Sequence, residues 1–279
     1  PKAKVVKTDW NDGVALKNIC SDVDLIIQAA GMNAQDCVAD PVAALEFNGL
    51  ATTRLVESAS QAGVKRFIYL STAHVYSSPL TGIINEDCCP NNLHPYATSH
   101  LAGENAVLSA SQRGELEGIV LRLSNAYGAP VHKDVNCWML LANDLCLQAV
   151  KTKKMILKSS GLQHRDFVSM AEVCCVIESF SSCDIASSID RIFNVGSGRS
   201  QSVREMAQLI QNRCKVIFGF EPGLSYQESR ADENQEELES SQERRKKMGA
   251  VVEVKNNIEI DNLLVFCSES FNRAMDERL

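Results

Sequence analysis

No stretch of this 279-residue chain has the spacing G-x-G-x-x-G. The single G-x-G, Gly196-Ser197-Gly198, has Gln201 where a third Gly would stand, so it reads as a turn and not as a phosphate-cradling loop. No apolar run approaches the ~18 residues that a membrane span requires. Positive charge is not in excess. Lys and Arg number 28 against 35 Asp and Glu, a net charge of −7, which argues against a nucleic-acid binder. The eleven cysteines include the adjacent pairs Cys88-Cys89 and Cys174-Cys175 but no Cys-x-x-Cys, and no Asn-x-Ser/Thr acceptor occurs. A zinc site and a secreted disulfide scaffold are therefore not expected. The thiols read as small hydrophobes in a reduced, cytoplasmic protein. The first residues, Pro1-Lys2-Ala3-Lys4-Val5-Val6, contain no apolar signal core. No internal repeat is evident.

What is present is the composition of a globular chain, 45% hydrophobic and 23% charged. Its length suits one large α/β domain or two small ones. Val5-Val6 before Asp9 reads as a short strand, and Val14 to Ile19 as a short helix. Val23 to Gly31 is an apolar run of strand length closed by Gly, as a buried parallel strand should be. Val42, Leu45, Leu50, Leu55, Val56 and Ala59 recur at helical spacing over 42–62, and Gly63 stops that helix. Phe67 to Leu70 and Gly118 to Leu123 read as strands, with a long helix from Tyr96 to Arg113 between them. Further on, 138–150, 172–180, 203–211 and 260–273 read as helices. Met155 to Leu157 and Ile192 to Val195 read as strands. The charged stretch Glu228 to Lys247 reads as a solvated helix or loop face.

Strand and helix alternate, which argues for a parallel sheet wrapped by helices. Ligands of such sheets bind beyond the carboxyl ends of the strands. Gly31, Ser71-Thr72 and Ser124-Asn125 all lie at those ends.

Two segments carry the chemistry: Ser71-Thr72-Ala73-His74-Val75-Tyr76 and Pro95-Tyr96-Ala97-Thr98-Ser99-His100. A hydroxyl pair ends a strand, a Tyr opens a helix, and His100 lies one helical turn beyond it on the same side. This resembles the extended short-chain dehydrogenase/reductase family, the NAD-dependent nucleotide-sugar epimerases and dehydratases. Three further stretches carry the same resemblance: Ala29-Ala30-Gly31, Arg122-Leu123-Ser124-Asn125-Ala126-Tyr127-Gly128, and His164-Arg165-Asp166-Phe167-Val168. The resemblance covers essentially the whole chain, from the family's third strand onward. The family's first βαβ unit, which bears the Gly-rich fingerprint, has no counterpart here. A truncated chain is the first expectation, and loss of cofactor binding the second.

The resemblance implies an α/β fold, a Rossmann-like doubly wound parallel sheet with a smaller C-terminal substrate lobe. Residues 1–130 would form the cofactor-binding domain. Residues 131–279 would be mainly substrate lobe, with 160–200 partly returning to the sheet. It implies that Thr72 and Tyr96 are catalytic and that His100 stands where the family has Lys. A Tyr with an ordinary pKa near 10 is a poor base at neutral pH. The family's Lys favours the phenolate and holds the nicotinamide ribose. His100 is expected to keep the ribose contact and to activate Tyr96 less, or to mark an impaired member. Asp9, Ala29, Ala30, Gly31, Asn48, Ser71 and Ser124 are expected beside the cofactor. That cofactor is NAD, with NADP open. His74, Asn125, Trp138, Arg165 and Arg230 are expected on the nucleotide-sugar side. Ala73-His74 replaces the acid/base pair of the dehydratases, which disfavours dehydration and favours C4 epimerisation. A ketoreductase of the same fold and a non-catalytic nucleotide-sugar binder are the alternatives. A homodimer packed through helices 42–62 and 96–113 is expected, with no nucleic acid and no membrane partner.

Overall fold

The computed structural model describes residues 3–185, 190–228, 238–250 and 256–271. Its centre is a four-stranded sheet of β1 (Leu25–Gln28), β2 (Arg66–Thr72), β4 (Glu117–Leu123) and β8 (Ile192–Val195). The order is β1-β2-β4-β8 and every pair is parallel. The short strands β3 (Gly82–Ile84), β5 (Asn125–Tyr127), β6 (Lys154–Ile156), β7 (His164–Ser169), β9 (Ser200–Ser202), β10 (Gly223–Ser225) and β11 (Leu238–Ser240) form small satellite sheets.

One face of the central sheet is covered by α1 (Gly13–Cys20), α4 (Thr52–Ala62) and α5 (Pro95–Gln112). Leu16, Val56, Phe67, Tyr69 and Val107 interdigitate there. The other face carries α7 (Met170–Ser182), with Ile68, Leu121, Val176 and Phe193 at the contact. A separate apolar core joins α6 (Leu141–Thr152), α8 (Val203–Phe218) and α10 (Asn256–Phe271). In α10, Ile260, Leu263, Leu264 and Cys267 are buried at the i, i+3, i+4, i+7 spacing of an amphipathic helix. Local chemistry sets the helix ends. Asp12 caps α1. Ser202 and Glu205 make a reciprocal capping box on α8. Gly63 ends α4 in the left-handed region at φ 81°.

Three sequence expectations change. Val5-Val6 forms no strand: no ladder partner lies beside it among the described residues, and Val5 is 94% exposed. The 42–62 helix is not uniform. After α2 (Ala34–Ala39) and α3 (Pro41–Ala44), Leu45–Ala51 is π-helical and only then does α4 begin. Leu55, Val56 and Ala59 are buried as expected, whereas Val42, Leu45 and Leu50 face outward. Finally, the 228–247 stretch is not wholly a solvated face. Residues 229–237 lie outside the described residues, but Gln242 and Arg245, beside and within α9 (Glu243–Lys247), are buried. Arg245 Nη2 donates to the Gly196 carbonyl and pairs with Glu172. All eleven cysteines are free thiols. No metal-ligating cluster occurs among the described residues, and none of their helices is long and apolar enough to cross a membrane.

Candidate active site

Thr72 is the last residue of β2, and the chain turns at once into a 3-10 turn, Ala73–Val75. Its backbone stays extended and its Oγ1 accepts from the His74 amide at 3.1 Å. That leaves the Thr72 hydroxyl hydrogen as a donor into the site. Tyr96 enters at the start of α5, where Pro95 presets the first turn and His94 Nδ1 caps the Tyr96 amide at 3.2 Å. The Thr72 side chain draws the pKa of the Tyr96 phenol down, but burial pushes it up by more, so Tyr96 sits above its ordinary value. Among the described residues no cation acts on it.

His100 follows one turn later, its ring edge-on to Tyr96 at 4.6 Å between centroids. Burial lowers His100 to about 4, so the imidazole is neutral. Its ring also closes on the end of β1. A Cβ built on Gly31 would meet His100 Cε1 at 3.4 Å and Nε2 at 3.6 Å. Ala29, Ala30 and Gly31 are exposed, so small side chains leave this strand end accessible along its backbone.

Asn48 and Ser71 serve the frame. The π-helical turn brings Asn48, 1% exposed, against α5. Its Oδ1 accepts from the Met32 amide at 2.8 Å and its Nδ2 donates to Ser99 Oγ at 3.0 Å. Ser71 Oγ donates to Glu104 Oε1 at 2.5 Å. Glu104 is fully buried and pairs with Arg122 at 2.6 Å. The Arg122 guanidinium lies 4.6 Å from the centre of the Tyr76 ring, and the Tyr76 hydroxyl donates to Asn194 Oδ1 at 2.8 Å. One polar network thus ties β2, α5, β4 and β8 together. Sequence reasoning missed this network. Its one signal was polar residues standing inside otherwise apolar elements.

Among the residues expected at the substrate, Arg165 contacts Asn125 and acts on His74. His74 is half-buried, and its pKa is lowered first by burial, then by Arg165 and His94. Arg165 Nη1 donates to Asn125 Oδ1 at 3.1 Å, and Asn125 Nδ2 donates to the Asp166 carbonyl. Burial lowers the Arg165 pKa. Ser124 Oγ donates to the same Asp166 carbonyl at 2.6 Å. Trp138 stacks on Phe266 at 6.3 Å and meets Phe271 edge-on at 5.2 Å, so α10 occupies much of its ring. Asp9 is exposed in the turn before α1 and lines a shallow groove with Lys17, Arg54 and Glu57, a groove that Thr72, Tyr96 and His100 do not line. Arg230 lies outside the described residues.

Three comparisons with known proteins bear on this arrangement. The dTDP-D-glucose 4,6-dehydratase of Mus musculus is 31% identical over 193 residues, 68% of this chain and 52% of that protein. The UDP-glucose 4-epimerase of Mycolicibacterium smegmatis is 27% identical over 179 residues, 64% of this chain and 56% of that one. The chain therefore spans about half the length of these two relatives. The UDP-glucuronic acid 4-epimerase of Bacillus cereus, solved with UDP-glucuronic acid and NAD, superposes with a TM-score of 0.74 at 18% identity. That match covers 93% of this chain and 80% of the other, and it shows the shared fold. A family model, the NAD dependent epimerase/dehydratase family, matches residues 1–196. The parallel sheet, the strand-end hydroxyls and the Tyr at the head of α5 sit in the region so matched, and by that match the chain belongs to the NAD dependent epimerase/dehydratase family.

Proposed function

We propose that the chain works on a nucleotide sugar with NAD, by transient oxidation at the sugar C4, as an epimerase. The observation that carries this reading is the convergence of Thr72, Tyr96 and His100 beside the open end of β1. The accessible backbone of Ala29 to Gly31 and the imidazole edge of His100 fit the nicotinamide-ribose end of a dinucleotide. When bound, NAD supplies the hydride acceptor and donor. With its phenol ionised, Tyr96 takes the proton of the C4 hydroxyl, and Thr72 donates to the same oxygen as it becomes a carbonyl. His100 offers a hydrogen bond to the ribose, and Ser124 lies at the neighbouring strand end. Arg165, Asn125 and His74 form the polar wall on the sugar-nucleotide side. In this reading residues 1–130 carry the cofactor and 131–279 mainly the substrate lobe, with 160–200 partly returning to the sheet. The outward-facing Val42, Leu45 and Leu50 support pairing of two copies through that helical run.

A second reading, nucleotide-sugar binding without turnover, is favoured by one observation. Tyr96 is raised by burial and no cation among the described residues acts on it. The test is to incubate the chain with NAD and a panel of UDP- and dTDP-hexoses and to follow the C4 configuration by proton NMR. C4 epimers formed by the wild type and not by Tyr96→Phe support the epimerase. Saturable sugar-nucleotide binding with no change at C4 supports the second reading and overturns the first.

A further inference from the structure

Tyr69 stands in the middle of β2 and is 1% exposed, in surroundings otherwise suited to an apolar side chain. A buried phenol needs a partner for its hydroxyl. Here that hydroxyl lies 3.0 Å from Nδ1 of His100. The space it occupies exists because residue 103 is Gly. A Cβ there would stand 2.6 Å from the Tyr69 hydroxyl and 2.7 Å from the Asn48 carbonyl. The Thr52 side chain draws the pKa of the phenol down, against the larger opposing effect of burial. Gln28 Nε2 donates to Thr52 Oγ1 at 2.7 Å.

Thr52 Oγ1 accepts from Gln28, which leaves its own hydrogen free to point at the phenol and the phenolic hydrogen free for His100 Nδ1. Acid–base chemistry favours the same order, because a phenol is the better proton donor and an imidazole nitrogen the better acceptor. Burial holds both groups neutral, Tyr69 by raising its pKa and His100 by lowering it. With Nδ1 accepting, a neutral imidazole carries its one hydrogen on Nε2. Nε2 and Cε1 are the ring atoms that approach Gly31.

We propose that Tyr69 is a positioning residue that fixes His100 as its Nε2–H tautomer and aims that donor at the exposed end of β1, toward the ribose of a bound nicotinamide nucleotide. The ligand in this statement rests on the function proposed above; the tautomer does not. Tyr69, Gly103 and His100 then form one set. A short imidazole replaces a long ammonium, and the strand beneath supplies the contact that orients it.

The experiment is a long-range proton–nitrogen NMR spectrum of the 279-residue chain labelled at histidine nitrogen, with the His100 signals assigned by their loss in His100→Gln. The wild type is expected to show His100 as the Nε2–H tautomer, and Tyr69→Phe to show a mixture of tautomers. NAD affinity measured by calorimetry is expected to fall about fivefold in Tyr69→Phe, the size of one neutral hydrogen bond's orientation. An Nδ1–H tautomer in the wild type overturns the assignment with no variant needed. So does a tautomer that Tyr69→Phe leaves unchanged. A Tyr69-dependent Nε2–H tautomer in a chain that binds no NAD keeps the positioning role and sinks the cofactor reading instead.

Discussion

His100 gives the fold an acid sensitivity that can be worked out in advance. Its pKa falls from an ordinary 6.5 to about 4 through burial alone. The unfolded chain therefore takes up a proton at this residue while the native chain does not. Above about pH 7 neither state is protonated there and stability is unaffected. As pH falls below 6.5 the unfolded state gains, and the loss of stability is complete below about pH 4, where it reaches about 3 kcal/mol. At about pH 5 the loss from this residue is about 2 kcal/mol. Urea unfolding of the wild type and His100→Gln at steps between about pH 8 and pH 5 isolates it, because His74 and the carboxylates are common to both chains. At the alkaline end His100→Gln is expected to be less stable by about 1 kcal/mol, the worth of the Tyr69 hydrogen bond. By the acid end the difference is expected to have moved about 2 kcal/mol in the variant's favour. A difference that stays flat across that range would refute the claim that this imidazole is buried and neutral.

Other consequences follow from the same site. Tyr96→Phe is expected to cut turnover by about 10²- to 10⁴-fold, while calorimetric NAD binding stays near wild type; equal turnover removes Tyr96 from the chemistry. His100→Lys places a cation one helical turn from Tyr96, so the limb of the rate–pH profile that reports the phenol should move to lower pH. An unmoved limb means that residue 100 does not act on Tyr96. Glu104→Ala leaves the buried Arg122 guanidinium unpaired and should cost about 3–5 kcal/mol in urea denaturation. Replacing both partners with apolar residues should recover part of that loss, and a single variant as stable as wild type would show that the pair is not isolated from water.

Much of this architecture was legible in the residues. The apolar run closed by Thr72 and the run Gly118 to Leu123 became β2 and β4, because a parallel strand buried on both faces has little choice of composition, whereas the run closed by Gly31 became β1, a strand at the edge of the described sheet with Ile27 exposed and not the buried strand expected. Tyr96 and His100 were legible as a helical pair by their spacing, and the structure sets their rings together. Val5-Val6 misled because an extended run becomes a strand only where a neighbour offers hydrogen bonds, which no local pattern reveals. The π-helical turn was hidden for a related reason: the periodicity of 42–62 sums over a whole face and is blind to one extra residue per turn. Tyr69 read as an ordinary strand aromatic. Only the contact with His100, 31 positions later, gives its hydroxyl a purpose. Ser71 and Asn48 were legible as polar residues near the rim, but not that Glu104, Met32 and Ser99 had already engaged them.

The hydrogen bonds of Asn48 have a mechanical meaning. One side chain holds the loop after β1 through the Met32 amide and holds α5 through Ser99, whose own hydroxyl donates to the Tyr96 carbonyl. The loop at the strand end and the helix that bears the phenol are yoked at a single joint. The loop beside Gly31 therefore cannot shift away from the first turn of α5 without breaking one of these hydrogen bonds.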